Sequence, residues 1–348
     1  MTFSAAGTEG LLRGKRILIV GRDYFFYSRE ITSELQTSFG AAAAFHPIEP
    51  PGFVYRLLNK VGMPLKWWLE RYHRNVIASA QRVPPEIVLF IQVHQIGDIV
   101  AKYREAFRSA RFVLYYWDSL KTHDYRPYAH YFDKVFTFDC VDAAQVAGLN
   151  YLPLFYSNRF RELRQNRETN YDVSFVGRAV SPWRYDELVK LRVWAKANGV
   201  SLFDYIVVSP FMYLRLLFRG KLLRHVHFRL LGEERLLQAY CNSRSVLDLP
   251  NNIQSGYTMR TFEALGAHRK LITGNPNVVN EDFYTPESVF VMGIHGEMPD
   301  RSFLYSQAKF SPAVDLYSLR TWILRLLSPL LTVGHDSNDA GKSIIGIS

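Results

Sequence analysis

The sequence predicts an α/β protein built as two Rossmann-like domains facing across a cleft. Three observations carry that prediction. The 348-residue length suits two domains of roughly 150 residues each. Short β-branched runs alternate with stretches of helical length and show no hairpin signals, the pattern of parallel sheets covered on both faces. That alternation also begins twice, at residues 15–21 and 172–177, each time as a strand closed by glycine and followed by a loop and a helix.

In the first half, residues 15–21 read as a buried strand and 29–39 as the helix after it. Residues 47–64, rich in Pro and Gly, read as an insertion. Residues 66–80 are helical and carry Trp67 and Trp68. Pro84 and Pro85 introduce the strand 86–93, followed by a helix at 99–109, strands at 111–116 and 134–138, and a short helix at 142–146. The basic stretch 158–170, with Arg159, Arg161, Arg164 and Arg167, reads as the interdomain linker. The second half offers the strand 172–177, a loop at 178–183 and a helix at 185–198 ended by Gly199. Strands at 245–249 and 270–273 flank a helix at 258–265, and a final helix at 316–327 stops near Pro329. The domains expected are 14–160 and 168–330, with 334–348 a disordered tail.

A formal net charge of +10 points to anionic partners: nucleotide phosphates, an acidic membrane face or nucleic acid. No zinc-finger, RRM or helix-turn-helix pattern supports the last. Cys140 and Cys241 form no ligand motif, which argues for a reducing cytoplasm and against a disulfide scaffold or structural zinc. The first ten residues lack a charged start followed by an apolar run, and no run approaches the roughly 20 residues that span a bilayer. The expectation is a cytoplasmic protein, peripheral at most on the inner membrane face. Residues 210–232 bear on that: no acid interrupts them, Ser209 and Pro210 open a helix, and Gly220 closes it. An anionic membrane surface and a buried helix with snorkelling cations both fit.

The segment 250–267 carries the most chemistry. A polar loop containing Ser255 and Gly256 opens a helix whose free N–H groups suit phosphate oxygens. Thr258 is the expected cap, Arg260 in the first turn is placed to clamp a diphosphate, and Glu263 to accept bonds from a ribose diol. A solvated helix face with a local Arg260–Glu263 pair is the competing reading. Residues 254–273 resemble the donor-site segment of GT-B glycosyltransferases, in particular the CgeB-like capsule and lipopolysaccharide biosynthesis enzymes. The resemblance implies that Glu263 binds the nucleotide ribose. Ser255 stands where many retaining relatives carry a second Glu. Residues 173–178, ending in Gly177 and Arg178, are similar to the first glycine loop of the GT-B nucleotide domain, with Trp183 and Arg184 in the same loop.

An inverting transfer needs a base for the acceptor hydroxyl. Asp118 and His94, at strand ends of the first half, are the leading candidates, with Asp23 and Asp98 behind them. A loop cap for Asp118 and a satisfied polar side chain for His94 are the plain alternatives. The resemblance implies a GT-B-like, metal-independent glycosyltransferase with no cofactor, its partners being a nucleotide-sugar donor and a glycan or lipid-linked acceptor. The absence of GxGxxG after the first strand argues against a nicotinamide enzyme. Ser255 leaves room for a catalytically inactive relative that binds a nucleotide sugar or a partner.

Overall fold

The computed structural model describes residues 10–22, 26–93, 97–166, 168–221, 223, 225–249 and 255–331. The chain forms two compact units: Met1–Leu152 together with Arg320–Ser348, and Pro153–Leu319.

Unit 1 runs β1 (Arg16–Gly21), α1 (Tyr27–Thr37), β2 (Ala42–Pro47), α2 (Phe53–Lys60), α3 (Lys66–Ala80), β3 (Ile87–Ile91), α4 (Gly97–Ala106), β4 (Arg111–Tyr116), β5 (Lys134–Thr137), α5 (Cys140–Gln145) and β6 (Leu149–Tyr151). Its sheet is parallel in the order β2-β1-β3-β4-β5-β6. β3 reads Ile-Val-Leu-Phe-Ile and is buried along its whole length, as a central parallel strand covered on both faces must be. β2 escapes the sequence reading because three alanines give it little β-propensity, and as an edge strand it is half exposed.

Unit 2 runs α6 (Asn158–Glu162), β7 (Tyr171–Arg178), α7 (Pro182–Ala197), β8 (Leu202–Val207), α8 (Pro210–Phe218), β9 (Val226–His227), α9 (Glu233–Cys241), β10 (Ser243–Asp248), α10 (Met259–Gly266), β11 (Lys270–Thr273), β12 (Val289–Val291) and α11 (Arg301–Tyr305). Its parallel order is β9-β8-β7-β10-β11-β12. Both sheets are Rossmann-like and doubly wound. Each has a point where the strand order reverses, between β1 and β3 in unit 1 and between β7 and β10 in unit 2. Ligands of such sheets bind outside the carboxyl ends of the strands at that point.

Two boundary expectations are corrected. The stretch 158–170 is not a free linker: its described residues belong to unit 2, Phe160 is fully buried, and Arg164 donates to the Gly266 carbonyl and to Asp315. The second domain also does not run to 330. The last helix, α12 (Leu319–Leu331), keeps Pro329 inside it, and from Arg320 onward belongs to unit 1, where Trp322 packs edge-on against Tyr115 of β4 at 4.8 Å. An apolar helix does not reveal in sequence which of two cores it completes. The proposed tail at 334–348 lies outside the described residues.

Candidate active site

The reversal point of unit 2 is built from the ends of β7 and β10 and the starts of α7 and α10. β10 ends in Asp248, whose side chain is buried. A buried carboxylate needs partners, and both of its oxygens find them: Arg260 Nη1 donates to Oδ1 at 2.6 Å, and Thr261 Oγ1 to Oδ2 at 3.0 Å. Arg260 is tied across the sheet as well, since its Nε donates to the Val176 carbonyl of β7 at 3.0 Å and its guanidinium lies over the Phe175 ring. Gly177 makes this crossing possible, because a Cβ there would stand 2.9 Å from Arg260 Nη2. Thr258 caps α10 by accepting from the Arg260 N–H, as the sequence suggests.

α7 starts on the same edge. Ser181 caps it by accepting from the Arg184 N–H, with Pro182 in the first turn. The Arg184 side chain is only 8% exposed, and its Nε has no hydrogen-bond partner. Burial and the nearby Arg260 charge push its pKa down to about 10, against the pull of Asp248, so it remains a cation at neutral pH. Two guanidinium groups thus share the field of one carboxylate at the amino ends of two helices. Buried donors are normally satisfied, so this arrangement accommodates an anion.

Glu263 does not pair with Arg260. It is buried, Tyr240 donates to its Oε2 at 2.6 Å, and burial pushes its carboxyl up to about 8. The solvated-face reading of this helix therefore fails at both residues. Ser255 is half-buried and Gly256 buried; the Ser255 carbonyl accepts from Asn275 at 3.2 Å. Arg178 ends β7 and is exposed. Sequence reasoning missed Asp248 and Tyr240. The only local signal was a strand ending in an acid ahead of a capped helix that carries an arginine.

In unit 1, Asp118 follows β4, and its Oδ2 accepts from Gln92 Nε2 at 2.5 Å. Gln92 sits just past β3 with φ +66°, a strained value for a residue with a side chain, and is buried. Its Oε1 has no hydrogen-bond partner, nor does the buried hydroxyl of Tyr116, whose ring stacks on Tyr125 at 4.2 Å. This edge therefore holds a carboxylate beside buried polar atoms suited to a hydroxyl-bearing ligand. Asp98 is exposed at the start of α4 and paired with Lys66. His94 and Asp23 lie outside the described residues. Among the described residues no cluster of three or more His, Cys, Asp or Glu side chains is set to hold a metal ion.

α8 begins with Ser209 as cap, its Oγ accepting from the Met212 N–H, and Gly220 follows it at φ +68°. Only Met212 and Leu216 of this helix are buried. Phe211, Leu214, Leu217 and Phe218 are exposed, so it is not a buried helix with snorkelling cations. No helix among the described residues is long and apolar enough to cross a membrane.

No protein-family model matches the sequence, and no curated protein matches it. Solved structures do. UDP-N-acetylglucosamine 2-epimerase from Rickettsia bellii is similar with a TM-score of 0.54 at 11% identity, covering 92% of this chain and 97% of that one. The catalytic domain of starch synthase IV from Arabidopsis thaliana, bound to ADP and acarbose, gives 0.52 at 10% identity, covering 92% and 96%. At such identities these similarities establish the fold, two Rossmann-like domains of the GT-B type, and nothing finer.

Proposed function

We propose, with this two-domain fold as premise, that the chain is a glycosyltransferase that moves a sugar from a nucleoside-diphosphate donor to a glycan or lipid-linked acceptor in cell-surface glycan synthesis. The observation that carries the reading is the buried, unpartnered Arg184 beside Arg260 at the reversal point of unit 2. A diphosphate supplies the partner that Arg184 Nε lacks, and the amino ends of α7 and α10 add to the attraction. Departure of the sugar leaves charge on the β-phosphate, and fixed guanidinium groups stabilise it without a metal ion. Gly177 leaves the space in which Arg260 lies. Glu263, for which the resemblance implies a ribose contact, is held by Tyr240. Ser255, Gly256, Thr258 and Arg178 surround the phosphates. In unit 1, Asp118, held by Gln92, serves as the base for an acceptor hydroxyl. The exposed face of α8, with Arg215 and Arg219, supports peripheral contact with an anionic membrane carrying the acceptor. The resemblance of residues 254–273 to CgeB-like enzymes points to the same class.

Thermal shift with UDP, GDP, dTDP, CMP and NAD tests the donor site. One nucleoside diphosphate is expected to stabilise the protein, and Arg184→Met and Arg260→Met to abolish the effect. No shift with any nucleotide sinks the reading. The similarity to an epimerase favours one other use of the site, elimination of the nucleotide and isomerisation of the sugar. Product analysis separates the two, because transfer yields a new glycosidic bond, formed also in the presence of EDTA, whereas epimerisation yields an altered sugar without an acceptor.

A further inference from the structure

We infer that the α2–α3 hairpin of unit 1 is a docking face for an anionic lipid bilayer, separate from the α8 face. The inference does not depend on the donor site. Between residues 50 and 69 the sequence contains no acid, and its apolar side chains divide into two sets. One set points inward. Tyr55 is buried and meets Trp68 edge-on at 5.7 Å, Leu65 is buried, and Leu69 joins Val76 in the core of unit 1. The other set points outward: Phe53 is 72% and Trp67 62% exposed, and Val54, Leu57, Val61 and Met63 are exposed with them. Phe53, Leu57 and Val61 follow one another at the helical spacing that forms a continuous stripe. The hairpin is therefore held by one aromatic pair while it presents a second apolar layer to solvent. A contiguous layer of this kind marks an interaction surface.

Charge identifies the partner. From residue 50 to 74 there are five basic residues, Arg56, Lys60, Lys66, Arg71 and Arg74, against the single acid Glu70. Glu70 is engaged by Lys102, and Lys66 by Asp98 across the surface. Exposed aromatic and aliphatic side chains in a segment with an excess of basic residues match the boundary between acyl chains and anionic headgroups. Unit 2 repeats the chemistry with unrelated sequence: in α8, Phe218 is 90% and Phe211 74% exposed, and no acid occurs between residues 210 and 232.

The test is flotation of the full-length protein with phosphatidylcholine vesicles, with and without phosphatidylglycerol. The wild type is expected to float with the anionic vesicles only, and less as salt rises. Phe53→Ser with Trp67→Ser is expected to weaken vesicle binding at least about tenfold, since two apolar anchors are lost, while Phe211→Ser with Phe218→Ser weakens it independently. Unchanged thermal melting of both variants shows that they remain folded, and the nucleotide shift reports on unit 2 separately. Three results overturn the inference: a wild type that does not float, a hairpin variant that floats undiminished, or a concentration-dependent dimer in light scattering that the hairpin variant dissolves. The last would assign the face to a second copy of the chain.

Discussion

Arg184 is the residue whose environment says most. A buried guanidinium without a hydrogen bond destabilises the protein that holds it, and an anion relieves it. Arg184→Met is therefore expected to raise the stability of the ligand-free protein by about 1 kcal/mol while removing the nucleotide-induced shift; denaturation with and without nucleotide reads both signs. Glu263 makes a second prediction. Its carboxyl titrates near 8 in the folded protein, against an ordinary value of 4.5. Folding thus takes up a proton between those values, so this contribution to stability is complete below pH 4.5 and declines as pH rises through 8. Glu263→Gln should flatten that slope and raise the melting temperature at pH 8 by a few degrees. Sequence reading found Arg260 and Glu263, assigned them to phosphate and ribose, and held a local pair at i,i+3 spacing as the competing reading. It missed that Asp248, at the end of the preceding strand, holds Arg260, and that Tyr240 holds Glu263. Pairings of that kind come from the order of strands in the sheet, which no local pattern contains.

At the level of elements, α10 is fixed at both ends. Thr258→Ala removes its amino-terminal cap and should cost about 1 kcal/mol in chemical denaturation. At the other end Gly266 lies against Tyr156, where a Cβ would come within 2.3 Å of the ring. Gly266→Ala should therefore destabilise unit 2 by roughly 1–3 kcal/mol without altering nucleotide preference. The strands that were legible, β1, β3, β4, β5, β7, β10 and β11, each carry an apolar run and none stands at a sheet edge. β8 was hidden by Asp204, which salt-bridges Arg192 on α7, and β9 by having only two residues. A charged side chain in a strand looks like a loop until its partner is known.

For the whole molecule, the described core residues fall into separate clusters, one spanning the sheet of unit 1 and another that of unit 2. Calorimetry is expected to resolve two transitions, of which a nucleoside diphosphate raises only the one belonging to unit 2. A single transition shifted as a whole would contradict that. The placement of α12 has a consequence for synthesis. Proteins made on ribosomes ordinarily complete their amino-terminal domain first, yet unit 1 lacks Trp322 against Tyr115, and the buried Ile323 and Leu326 beside it in the chain, until all of unit 2 has emerged. Unit 2, continuous from Pro153 to Leu319, can close while its elder neighbour is still open. What the first unit waits for is made only after the second.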